Sequence, residues 1–176
     1  SLVRHIKVET EQRELYLQAV SGARRLKSGD YTGRADDRTR DEEFASRLDL
    51  PEYQAMAQAE EFILTITEDG MGKRTSAYEY RIAGRGGQGI TGIELSRGNK
   101  QSSSSIVAAF TVLNTDQLVM VSDAGQIIRC PIDQISIIGR SGRGVTIFKV
   151  EESERLVSVS RFRDLDDESD VEVEDL

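Results

Sequence analysis

A stretch of this chain returns after 55 positions, and a fold that repeats along the sequence has to repeat in space. Phe62-Ile-Leu-Thr-Ile-Thr-Glu-Asp-Gly70 alternates apolar and polar residues and then turns at Asp-Gly; Gln117-Leu-Val-Met-Val-Ser-Asp-Ala-Gly125 does the same. At the same offset Arg74 meets Arg129, Ile82 meets Ile137, and Gly84-Arg85 meets Gly139-Arg140. Gly87, Gly89 and Thr91 meet Gly142, Gly144 and Thr146 without a gap.

Period-two alternation, β-branched residues and Gly punctuation predict strands rather than helices in each copy. Each repeat reads as a strand, a tight Gly turn, a second strand, a Gly-rich loop and two further strands. The second strands run through Lys73-Arg74-Thr75 and Ile127-Ile128-Arg129. The third are expected at Gly89 to Leu95 and Gly144 to Val150, the fourth at Ser105 to Val112 and Leu156 to Phe162. Four strands per unit make a propeller blade, so the expected class is all-β, with blades at 61–113 and 114–163. Ser1-Leu-Val-Arg-His5 resembles the closing strand Ser105-Ile-Val-Ala-Ala109, which places 1–8 at the end of a preceding blade.

Residues 9–60 differ in composition and read as a helical insertion. Leu15, Ala19, Ala23 and Leu26 form a stripe behind a Thr10 cap, and Gly29 ends the run. Pro51 opens a second helix carrying Tyr53, Met56 and Ala57. Between them Ser28 to Arg40 is polar and doubly charged, which predicts a loop. Residues 164–176 carry eight acids and no base, the composition of a disordered acidic tail.

The formal net charge of −8 conceals an uneven distribution. Lys73 to Val150 holds ten Lys/Arg against five Asp/Glu, Ser1 to Gly72 ten against fifteen, and Glu151 to Leu176 three against eleven. A basic middle between acidic flanks points to a polyanion-binding body. One cysteine, Cys130, excludes an internal disulfide, and with the single His5 it supplies neither a Cys/His zinc cluster nor a nucleophile with its base. His5 reads as structural, Cys130 as a small buried hydrophobe, and Tyr78 and Tyr80 as packing residues. No apolar run approaches the roughly 18 residues of a membrane span and no basic-apolar-small leader is seen, so no membrane partner and a soluble, cytoplasmic chain are expected.

Gly84-Arg-Gly-Gly-Gln-Gly89 formally satisfies the dinucleotide-binding G-x-G-x-x-G pattern, but that motif must open a helix, and Ile90-Thr-Gly-Ile-Glu-Leu95 alternates like a strand. The other reading is that Gly84, Gly86, Gly87 and Gly89, with Gly139, Gly142 and Gly144, let the backbone turn while Arg85, Arg140 and Arg143 project outward. A turn needs its glycines but not its arginine, and the arginine recurs in register. Lys73, Arg74 and Arg129 follow the hairpin turns, with Arg81, Arg97 and Lys100 nearby. Blades around an axis would set these cations on a curved perimeter that holds duplex phosphates without reading bases. Aromatic residues, at 6%, are too few for a single-strand stacking platform.

Thr65-Ile-Thr-Glu-Asp-Gly-Met-Gly-Lys-Arg-Thr75, Tyr80-Arg-Ile-Ala-Gly-Arg-Gly-Gly-Gln-Gly-Ile90, Val121-Ser-Asp-Ala-Gly125 and Gly139-Arg-Ser-Gly-Arg-Gly-Val145 resemble the repeats of DNA gyrase A C-terminal domains, over about Glu60 to Phe162. That family folds as a six-bladed β-pinwheel that wraps double-stranded DNA on its basic perimeter. The resemblance implies late blades: Ala83 to Gly89 keeps only Arg85, Gly86, Gly87 and Gly89 of the family's gyrase box, and the copy at Ile138 to Gly144 keeps Arg140, Gly142, Arg143 and Gly144. It further implies a place in a gyrase A protein, joined with gyrase B in a heterotetramer that supercoils DNA. Catalytic residues, ATP and Mg²⁺ would lie elsewhere in that enzyme, with no cofactor in this segment, and the tail would compete with phosphate for the rim. Two other readings stay open: a domain of the corresponding topoisomerase IV protein, and a protein-interaction propeller using the insertion.

Overall fold

A computed structural model describes residues 8–29, 35–81, 85–95 and 104–163. The expected closing strand with His5, the acidic tail, and Gly84, Arg97 and Lys100 lie outside the described residues.

The repeat is realised as two hairpins. Strands β1 (Phe62–Thr67) and β2 (Met71–Ser76) turn at Gly70, and after β3 (Ile106–Val112) strands β4 (Asp116–Ser122) and β5 (Ile127–Pro131) turn at Gly125. Both glycines have φ in the left-handed region, 74° and 82°, which a side chain disfavours. The registers superpose at the 55-residue offset: Leu64 faces Arg74, and Val119 faces Arg129. Strand β3 pairs with β1, and β7 (Leu156–Arg163) pairs with β4. Even the irregularity recurs, at Ile66/Thr67 and at Val121/Ser122.

The strands of the two repeats are not shared out as the sequence predicts. Gly89 to Leu95 contains no strand, and Gly144 to Val150 contributes only β6 (Val145–Thr146). One main-chain bond, Glu94 N–H to Gly142 O at 3.3 Å, joins the first segment to its neighbour, too little for a ladder. Strand β6 belongs to the second repeat by sequence but pairs with β2 of the first, giving sheets ordered β3-β1-β2-β6 and β5-β4-β7. The N–H groups of Ile147 and Phe148 both reach Gly70 O, at 2.9 and 3.1 Å. A Cβ on Gly70 would lie 1.8 Å from Phe148 O, so this crossing needs glycine for space as well as conformation.

One apolar core lies between the sheets, built from Leu64 and Ile66, Ala108 and Val112, Leu118 and Met120, with Ile132, Ile135, Phe148 and Leu156. Directly opposed residues in an antiparallel pair share a face. Arg74 therefore sits on the Leu64 face, toward the second repeat.

The insertion holds three helices: α1 (Thr10–Ser28), α2 (Ala35–Ser46) and α3 (Pro51–Ala59). Gly29 closes α1 at φ 69° and Pro51 opens α3, as the sequence predicts. Three expectations are corrected. Thr10 is the first helical residue rather than the cap, which is Glu9, and its hydroxyl accepts from Arg13 Nη2 at 3.2 Å. The buried line of α1 is Tyr16, Ala19 and Gly22, which keeps Ala19 of the expected stripe but leaves Leu15, Ala23 and Leu26 half-buried, because α2 crosses at Gly22, where a Cβ would stand 3.1 Å from Asp41 O. And α2 occupies part of the expected loop, fastened by Arg25, which grips buried Asp41 with bonds of 2.7 and 2.5 Å.

Tyr78 joins insertion and blade. It sits in the 3-10 turn Ala77–Glu79 after β2, and its ring meets Tyr16 edge-on at 5.5 Å. Its hydroxyl donates to Met56 O at 3.0 Å. Tyr53 also packs edge-on against Tyr16, at 5.9 Å. No helix among the described residues is long and apolar enough to cross a membrane.

Candidate nucleic-acid interface

The second Gly-Arg loop lies against the segment that follows the first. Arg140 donates from Nη1 to Thr91 O of that segment at 2.8 Å, beside the Glu94–Gly142 main-chain bond. Arg85, Gly86, Gly87 and Gly89 are exposed, with Gly86 at φ 74°. Arg81 is exposed and donates to Gln88 O at 3.1 Å. Arg140 and Arg143 are half-buried.

What holds the second loop in shape is a buried ammonium. Lys73 is 0% exposed, and its Nζ donates to the carbonyls of Gly139, Arg140 and Gly142 at 2.8, 2.6 and 2.7 Å. Three carbonyls around one ammonium match its three donors, so the backbone folds around Lys73. Glu79 accepts from the Arg140 N–H at 2.6 Å and closes the other side. Burial pulls the Lys73 pKa below the ordinary lysine value; the Glu79 carboxylate opposes this and the Arg140 charge adds to it. The glycines keep the loop tight: a Cβ on Gly142 would lie 2.4 Å from Ile138 Cγ2, and one on Gly144, at φ 91°, 2.7 Å from Gly72 O.

Arg74 is equally internal. At 5% exposure its guanidinium donates to Ile135 O at 2.7 Å, Asn114 Oδ1 at 2.5 Å and Asp133 O at 3.1 Å. Its main chain brackets the same neighbour, with Arg74 N–H to Ser136 O at 3.0 Å and Ile138 N–H to Arg74 O at 2.8 Å. Burial lowers its pKa, against the Asp133 carboxylate and together with the Arg24 charge. The expectation that Lys73 and Arg74 clear the sheet edge is therefore corrected: β2 lies between β1 and β6, and loops of the second repeat cap both side chains. Arg129, the sequence counterpart of Arg74, is exposed, with Nε 3.4 Å from Gln117 Oε1.

The sequence reading misses two residues that shape this surface. Glu79 orders the Gly139 loop, and Arg13 of α1 lies beside that loop, donating to Tyr80 O at 3.4 Å. Arg13 sits three residues after Thr10, on a helix that the sequence alone does not bring to the blade. Cys130 is half-buried, and burial, aided by Asp133, raises its thiol pKa, which suits a packing residue better than a nucleophile.

Two sheets around one apolar core, the first completed by β6 of the second repeat, with Gly-Arg loops that carry arginines, define a propeller-like repeat protein. The sequence matches the family described as DNA gyrase C-terminal domain, beta-propeller, over residues 61–110 and 116–163. The chain belongs to that family. It is 42% identical to the DNA gyrase A protein of Granulibacter bethesdensis over 90% of its length, and 34% identical to that of Rickettsia bellii over 99%. The chain spans only 17% and 18% of those two relatives. Its fold resembles a solved DNA gyrase A C-terminal domain, with a TM-score of 0.51 and 29% identity over 57% of this chain and 33% of that one. It also resembles the C-terminal domain of DNA topoisomerase IV, with a TM-score of 0.50 and 24% identity over 58% and 30%, a likeness of fold alone.

Proposed function

We propose that this chain is a duplex-binding and DNA-wrapping segment of a gyrase A protein, acting in ATP-dependent negative supercoiling. The observation that carries the reading is the second Gly-Arg loop, built around the Lys73 ammonium and joined by Arg140 to the segment that follows the first. Arg85, Arg140 and Arg143 on such loops suit phosphate oxygens, since a guanidinium fork fits them bidentately. Arg81 and Arg129 extend the charge across the same blades; Lys73 and Arg74 support it from inside. Recognition without base contacts agrees with rigid loops that present charge rather than long side chains able to enter a groove. In this reading strand breakage, ATP and Mg²⁺, gyrase B contacts and assembly belong to other parts of a cytoplasmic enzyme, in keeping with a chain that spans 17% and 18% of two gyrase A relatives. Relatives at 34% identity and above over 90% or more of the chain are gyrase A proteins, which favours gyrase over topoisomerase IV.

The experiment is fluorescence anisotropy of a duplex of about 40 base pairs across a salt series, where three or four phosphate contacts give a slope of log K against log salt near −3. R85A combined with R143A should flatten that slope by about two. A duplex bound equally at low and high salt, or not at all, would overturn the reading. Removing Leu165 to Leu176 should tighten binding if the acidic segment competes with phosphate.

A further inference from the structure

Between α1 of the insertion and the Gly139 loop of the second repeat lies a cavity of about 370 Å³, whose walls include Arg13, Glu14, Tyr78, Glu79, Arg81 and Arg140. Its three guanidiniums come from three separate parts of the chain. Each is fastened by a neutral carbonyl: Arg13 by Tyr80 O, Arg81 by Gln88 O and Arg140 by Thr91 O. Among the described residues none of the three forms a salt bridge with a carboxylate. A guanidinium positioned by a carbonyl keeps its whole charge and most of its five donors. One donor is already withdrawn from water without a partner, the buried Nε of Arg13.

The acids on the walls set the charge that the cavity presents. Glu79 is already engaged by the Arg140 N–H and faces the Lys73 charge, and Glu14 is exposed. Three guanidiniums, with the Lys73 ammonium directly behind the Gly139 and Arg140 carbonyls, outnumber the two carboxylates, so the walls present a net positive charge suited to a phosphate group. We propose that this cavity is a phosphate notch for the duplex backbone, so that the helical insertion supplies one wall of the DNA track and Arg13 is one of its contacts. This rests on the duplex-binding reading above. It gives the insertion a part in DNA binding itself, rather than in recruiting a separate protein partner.

The test uses the same duplex and salt series on the full 176-residue chain, comparing R13A, R13K and R38A with the unaltered protein. Arg38 is an exposed cation on α2 paired with Glu42, so R38A removes charge from the insertion away from the notch. R13A should weaken binding about tenfold at moderate salt and reduce the slope by about one; R13K, which keeps the charge but not the fork, should retain the slope and recover part of the affinity. If R85A with R143A weakens binding while R13A behaves like R38A, the duplex reading stands and the notch is refuted. If the unaltered chain does not bind, both fall. Line broadening of inorganic phosphate in ³¹P spectra that R13A abolishes while duplex binding stays intact would mark a free-phosphate site and overturn the assignment to DNA. Should R13A lower the unfolding temperature, R13K carries the decision, because it preserves the packing of the stem.

Discussion

Replacing Lys73 with Met tests whether the second Gly-Arg loop is organised from inside. Met keeps most of the apolar stem and deletes only the ammonium, leaving the Gly139, Arg140 and Gly142 carbonyls without their shared donor. Hydrogen bonds to a charged group contribute about 1.5–3 kcal/mol each, but they cannot simply be added, because removing a buried ammonium also removes a desolvation penalty of several kcal/mol. Gly139 is exposed, so water can replace the ammonium at its carbonyl, whereas Arg140 and Gly142 are half-buried and water reaches their carbonyls only incompletely. Two carbonyls left wanting at about 1–3 kcal/mol each, partly offset by the relieved desolvation, give a net loss of about 3 kcal/mol. For a chain of this size that lowers Tm by about 6–12 °C, readable by calorimetry or circular dichroism. Duplex affinity should fall too, through lost loop geometry, although Lys73 touches no solvent. A Tm within about 1 °C of the parent, together with a salt slope reduced by about one, would refute the reasoning and return Lys73 to the rim as a phosphate contact.

The repeat provides matched substitutions elsewhere. G70A should destabilise by more than about 3 kcal/mol, since its Cβ would overlap Phe148 O, whereas G125A, with nothing within 4 Å, should cost only the roughly 1–2 kcal/mol of a left-handed φ; urea unfolding separates the two. R74A should cost about 3–5 kcal/mol by emptying a buried, hydrogen-bonded site, and R129A, at an exposed position, under about 1 kcal/mol. Burial first, then the Glu60 charge and hydrogen bond, raise the Tyr16 pKa, and burial raises those of Tyr78 and Tyr80. The unfolded chain therefore loses phenolic protons that the folded one retains, and stability, fully present below about pH 10, declines as pH rises beyond it. In alkaline melts Y16F should flatten that decline; an unchanged slope would remove Tyr16 from the account.

The hairpins were legible because Gly70 and Gly125 follow alternating apolar residues, and the offset carried the register from one copy to the other. Alternation does not say what covers a face, and this is where Lys73 and Arg74 escaped. Neighbours on one strand, they point to opposite faces, and a solvated cation and a cation capped by a neighbouring repeat look alike in sequence. Pairing of β6 with β2 is equally hidden, since two residues carry no periodicity. The first half of α2, up to Arg40, reads as a polar loop because Phe44 is the helix's one large apolar residue, and its place depends on Arg25 and Asp41 meeting across 16 positions. Legible too were the left-handed turns at Gly86 and Gly144 and the outward position of Arg81, Arg85 and Arg129. Arg13 and Glu79 were not, because their positions follow from how the insertion seats on Tyr78.

The strand β6 sets where a gene encoding such a protein can be cut and rejoined. A recombination joint between 113 and 114 follows the sequence repeat, yet it would separate β2 from the strand that completes its sheet and leave Gly70 O without the Ile147 and Phe148 donors. A joint inside the Gly125 turn cuts the same crossover, because β2 ends at Ser76 and β6 begins at Val145. Only a joint before Gly70 or after Phe148 leaves it whole, so gain or loss of blades that preserves this contact runs out of step with the repeat that the eye picks from the sequence.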